Sequence, residues 1–111
     1  MLDLTFLEKL SKGDVPKMKR YITMYLSIAP EIFERMRNNL DEENWSDLAL
    51  NVHSIKPQTD YMGVESLKEV LIEIENSVLN ENYQTIPGLF QKAFALHEKS
   101  QASLNMKLNE L

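Results

Sequence analysis

No cysteine occurs in the 111 residues. Disulfides, thiolate zinc sites and cysteine nucleophiles are excluded together, a pattern that fits a reducing compartment. Glycine and proline are nearly as scarce, with three and four residues, so there is little material for the turns that a chain of short strands needs. No run of alternating β-branched residues reaches strand length either. An excess of positive charge is also missing: 12 Lys and Arg stand against 17 Asp and Glu, for a net charge of −5. Phosphate backbones and anionic lipid surfaces are bound by clustered cations, so neither nucleic acid nor membrane is an expected partner. The first 14 residues mix charge into their apolar run, which fits neither a signal peptide nor a membrane span. The expected compartment is the cytoplasm. Without a secretory signal, the glycosylation-like triplet Asn44-Trp45-Ser46 has no consequence.

What is present is helical periodicity, in a chain that is 43% hydrophobic and of a length for one domain, residues 1–111. A short helix over about 3–12 would place Leu4, Leu7 and Leu10 on one face and stop at Gly13. Asp14 reads as the cap of a second helix with Pro16 in its first turn, running through Met18, Ile22, Tyr25 and Leu26 to about residue 39, with a kink expected at Pro30. A third helix over about 42–62 takes Asp41 as its cap, repeats Trp45, Leu48, Ala49, Val52, Ile55 and Met62, and ends at Gly63. Leu67, Val70, Leu71, Ile74 and Val78 line a fourth. After the loop "NENYQ", Thr85 and Pro87 announce a last helix from about 86, lined by Phe90, Ala93, Phe94, His97, Leu104 and Leu108. Helices with one apolar stripe each bury those stripes economically in a bundle, so the predicted fold is all-α. The architecture is an antiparallel up-and-down four-helix bundle with an additional short N-terminal helix. The six methionines and the aromatic stripe are expected to be core.

Two histidines are available for chemistry. On a helical wheel His53 points well away from the apolar line of its helix, and Ala49, Lys56, Pro57 and Asp60 share its stripe. Such an imidazole is either a solvated surface side chain or a temporary carrier of a phosphoryl group. Its neutral nitrogen is a nucleophile near neutral pH, and the Lys56 ammonium can offset the phosphate's charge. No second histidine, paired acidic cluster, glycine-rich loop or serine with a base in register accompanies it, so no metal or cofactor site is predicted and catalytic machinery would come from a partner. His97 falls on the apolar seam of the last helix and reads as a partly buried, hydrogen-bonded core residue.

The stretch His53, Ser54, Ile55, Lys56, Pro57, followed by Gly63 and Leu67, resembles the motif of the histidine-containing phosphotransfer (HPt) domains of phosphorelays. That motif runs His, any residue, an aliphatic residue, Lys and Gly, with a Gly ten residues after the His and a Leu four further on. The helical lengths agree over essentially the whole chain. The resemblance implies a phosphorelay intermediate, not an enzyme. His53 would accept the phosphoryl group from the aspartate of a response-regulator receiver domain and return it, and a sensor or hybrid histidine kinase would stand upstream. It implies further that Lys56 gives electrostatic support and that Glu75 is a hydrogen-bonding neighbour. The receiver would bring the aspartate and the magnesium ion, this chain would need no cofactor, and it would act as a monomer. Pro57 departs from the pattern: it stands where the family has glycine and removes the helical hydrogen bond that would use the His53 carbonyl. Its low, donor-free surface still leaves the histidine accessible.

Two other readings belong beside this one. The bundle could be a non-phosphorylated adaptor that binds a signalling protein, or a small bundle enzyme or metal carrier. The last is disfavoured because no Glu-x-x-His occurs, His53 and His97 being preceded at that spacing by Leu50 and Phe94.

Overall fold

The computed structural model describes residues 2–111 and contains no strand among them. Five α-helices follow in order: α1 (Thr5–Ser11), α2 (Val15–Asp41), α3 (Trp45–Tyr61), α4 (Glu65–Leu79) and α5 (Ile86–Glu110), with a single 3₁₀ turn at Tyr83–Thr85 before the last. α2 packs on α3, α3 on α4, α4 on α5 and α5 back on α2, which closes the predicted antiparallel bundle, while α1 lies across α2 and α3. The bundle measures 43 × 20 × 20 Å.

The helix ends follow local chemistry. Asp14 caps α2 as predicted, its carboxylate accepting from the Lys17 N–H at 3.2 Å, with Pro16 in the first turn. The predicted cap of α3 was Asp41, and there the structure differs: Asp41 is the last residue of α2. Glu43 then turns left-handed, with φ of 53°, and the Asn44 N–H closes the end of α2 on the Asn39 carbonyl at 2.8 Å. Asn44 is the cap, accepting from the Asp47 N–H at 3.2 Å and donating to the Asp47 carboxylate at 2.8 Å. A carboxamide can do both, which a carboxylate cannot. α3 therefore starts three residues later than predicted and ends at Tyr61, with Gly63 at φ 65° closing the turn. A side chain at Gly63 has no room, since its Cβ would run into the Asp3 carbonyl oxygen, and the Asp3 N–H donates to the Gly63 carbonyl at 3.1 Å. This contact ties the segment before α1 to the α3–α4 turn. Both internal prolines, Pro30 and Pro57, lie within uninterrupted helix.

The core follows the predicted stripes. Met18, Ile22 and Tyr25 of α2, Leu48, Val52 and Ile55 of α3, Leu67, Val70, Leu71 and Ile74 of α4, and Phe90, Ala93 and Leu104 of α5 are buried. Leu26, Val78, Phe94 and Leu108 pack at its edge. Three expected core residues are instead exposed. Leu10 misses the core because the buried line of α1 runs through Leu4, Leu7 and Ser11, a quarter-turn away. Met24 and Met106 lie on the outer faces of α2 and α5, whereas Met18, Met36 and Met62 are buried. Met1 lies outside the described residues.

Candidate functional site

α3 has one face to spare. Leu48, Val52, Ile55 and Thr59 recur along its buried side, and His53 stands about 130° round the helix from that line at 100° per residue. Its side chain is 75% exposed, as the wheel predicted. Ala49, one turn before, is half-buried; Pro57, one turn after, and Asp60 are exposed. A row of exposed side chains, Leu50, Pro57 and Tyr61, flanks the imidazole at spacings of seven and four. Tyr61 stacks on Phe6 of α1, with ring centroids 5.6 Å apart.

The partner of this face comes from α4. Glu75 directs one carboxylate oxygen at Lys56, accepting from the ammonium at 2.6 Å, and its other oxygen stands 3.6 Å from His53 Nδ1. That distance is too long for a hydrogen bond and within range of an ion pair when the ring carries charge. The carboxylate favours a proton on Nδ1, which leaves the lone pair on Nε2, on the far side of the ring. Lys56 and Glu75 are half-buried, at 27% and 23% exposure, so Lys56 is not the free surface cation that spacing along α3 suggested. One turn further on, Asp60 pairs with Lys68 at 2.8 Å, and that bond holds the Lys68 ammonium above its usual range.

Spacing along α3 brings Ala49, His53, Lys56, Pro57 and Asp60 to this face, the family resemblance adds Glu75, and four neighbours, Leu50, Tyr61, Phe6 and Lys68, were missed. Lys68 lies eight residues beyond Asp60 across a turn and Phe6 belongs to a different helix, so neither carries a periodic signal, whereas Leu50 and Tyr61 stand at helical spacing along α3 and could have been found from it. Among the described residues no group of three or more His, Asp or Glu side chains is placed to hold a metal ion. A cleft of about 120 Å³, lined by residues that include Leu2, Val64, Leu96 and Ser100, contains no member of this face.

His97 is predicted to be partly buried and is fully so, with its ring flat against Phe33 at 4.2 Å and 10°. The expected hydrogen bond is absent: Nδ1 is buried without a partner, and the Ser100 hydroxyl donates to the His97 carbonyl at 2.8 Å. Burial alone holds this imidazole below its ordinary value of 6.5. The nearby Tyr25 hydroxyl is likewise buried without a partner. Its phenol is pushed up to about 12 by burial, with Ser100 pulling weakly the other way without reaching hydrogen-bonding geometry.

The model of the family described as the Hpt domain matches residues 20–105. No curated protein sequence matches the chain. Among solved structures the chain is similar to the crystal structure of histidine-containing phosphotransfer protein B from Pseudomonas aeruginosa PAO1, with a TM-score of 0.91 and 17% identity, over 99% of this chain and 96% of that one.

Proposed function

The chain belongs to the Hpt domain family, and from that premise we propose that His53 is the side chain that carries the phosphoryl group. The family makes the chain a phosphotransfer intermediate of phosphorelays, a carrier and not a catalyst, working with kinases and response regulators. The observation that supports His53 is its combination of 75% exposure with a carboxylate at 3.6 Å from Nδ1. That arrangement leaves Nε2 as the outward nucleophile.

The step balances without a cofactor on this chain. The Nε2 lone pair attacks the phosphorus of a receiver's aspartyl phosphate, and the P–O bond breaks with its pair on the leaving carboxylate. Nδ1 keeps its proton toward Glu75. Return transfer reverses each bond. The receiver docks over His53 and the row Leu50, Pro57 and Tyr61, continued onto α1 by Phe6, and it brings the aspartate and magnesium. Lys56 is the cation of the site, held by Glu75 at 2.6 Å. A sensor or hybrid histidine kinase supplies the relay upstream.

On this reading the 111 residues act as one monomeric cytoplasmic domain without affinity for nucleic acid or membrane. The net charge of −5 supports the absence of nucleic acid, and no described helix is long and apolar enough to cross a membrane.

Incubating the chain with phosphorylated receiver domains tests the assignment. Acid-labile, base-stable label that maps to His53 by mass spectrometry is the expected result. No label from any receiver would favour the non-phosphorylated adaptor.

A further inference from the structure

The charge of the site is not what a phosphate store would have. A phosphorylated side chain brings about −1.5 to −2 charges at neutral pH, and sites that retain such a group surround it with unpaired cations. On the α3–α4 face the two cations are both already neutralised, Lys56 by Glu75 at 2.6 Å and Lys68 by Asp60 at 2.8 Å. The second oxygen of Glu75 also faces the His53 ring.

Lys56 cannot serve two anions equally. Its bond to Glu75 is short, joins two rigid helices and is three-quarters shielded from water. Phosphoryl oxygens on a ring that is 75% exposed would be strongly solvated, so their attraction for the ammonium is weakened by water more than that of Glu75. Resting on the reading of His53 as the acceptor, we infer that Glu75 withholds Lys56 from the phosphoryl group and thereby makes phosphorylated His53 a donor rather than a store. Glu75 is a positioning residue in this scheme and touches no phosphoryl atom. Its charge sets how far the equilibrium lies toward the partner.

Phosphoramidate, a small-molecule phosphoryl donor, tests this without a receiver. The Nε2 lone pair forms the N–P bond, and the reagent's own P–N bond breaks with its pair on ammonia. Glu75→Gln keeps the shape and an accepting oxygen but removes the charge. At sub-saturating phosphoramidate the phosphorylated fraction of this variant should rise about three- to tenfold, with a matching increase in half-life after the reagent is removed. Lys56→Gln should lower both. In the variant carrying both changes the gain should vanish, leaving values within about twofold of Lys56→Gln alone. Melting curves accompany each variant, because a purely structural role would move the melting temperature and leave the phosphorylated fraction unchanged.

An unchanged or reduced fraction in Glu75→Gln overturns the inference, and so does a gain that persists without Lys56, which would mean direct repulsion by Glu75. Label that survives His53→Gln overturns the carrier assignment and this inference with it. Label confined to His53 and indifferent to Glu75 overturns this inference alone.

Discussion

Lys56 and Glu75, 19 residues apart in sequence, meet at 2.6 Å across the α3–α4 interface. The pair joins the site to the scaffold, since the same carboxylate that fixes the ammonium stands against the imidazole. A change at either residue is therefore expected to register in both stability and phosphotransfer, whereas a change at His53 should register in one alone.

His53→Gln should abolish phosphorylation and leave the fold intact. The side chain is mostly in water and makes no hydrogen bond, so its loss should cost within about 0.5 kcal/mol. Label transfer and thermal denaturation check the two halves. A fall in melting temperature of many degrees would show that His53 is structural.

Lys56→Ala should shorten the phosphohistidine's lifetime or slow transfer without preventing it, because the ammonium offsets the Glu75 charge beside the ring and takes no part in the bonds made or broken. It also strands the half-buried Glu75 carboxylate, at a cost of about 1 kcal/mol, the upper end of the range for exposed pairs. For a domain of this size that is roughly 4 °C in melting temperature. Unchanged phosphotransfer kinetics would remove Lys56 from the site.

Pro57→Gly should leave transfer within a small factor, since glycine keeps the surface beside His53 low. Stability should move little. Restoring a backbone donor to the His53 carbonyl adds about 0.5–1.5 kcal/mol, and the conformational freedom of glycine removes roughly 0.5–1 kcal/mol. Transfer that collapses in this variant would mean that the proline itself sets how His53 is presented.

The buried His97 makes stability pH-dependent. Its folded value is depressed, so above pH 6.5, the ordinary value, its neutral form is shared by both states and the full stability is present. As pH falls from 6.5 through the folded value, the unfolded chain takes up a proton that the folded chain resists, and stability is lost. His97→Phe keeps the stack on Phe33 and should flatten this slope. Urea titrations at a series of pH values measure it, and an unaltered slope in the variant would assign the acid loss to carboxylates.

Gly63→Ala should be the most damaging of the small changes. A Cβ there would need both a left-handed backbone and the displacement of the Asp3 carbonyl. The expected loss is about 2–4 kcal/mol. Amide hydrogen exchange should show it concentrated in α1 and the segment before it, and protection unchanged there would refute the contact.

The chain itself determined the helices, the stripes that face the core and the exposure of His53, because each depends on spacing along one element. Periodicity of 3.6 residues is a local property, and so is the preference of Asp14 for a helix start. The boundary at Asp41 differs because Asp and Asn are both common helix caps; Asp41 closes α2 as its last helical residue, and the paired hydrogen bonds of Asn44 and Asp47 make Asn44 the cap of α3.

Tertiary structure decided whatever needed two elements. Lys56 looked like a free cation along α3 and became the partner of Glu75 when α4 packed beside it. His97 sat on the predicted seam, yet its missing hydrogen bond depends on which groups the core brings to Nδ1. Phe6 found Tyr61, and Asp3 found Gly63, through the path of α1 across the bundle. Spacing within a helix fixes direction, but which charges neutralise one another depends on the register between helices, and that register is set by the packing of the whole core.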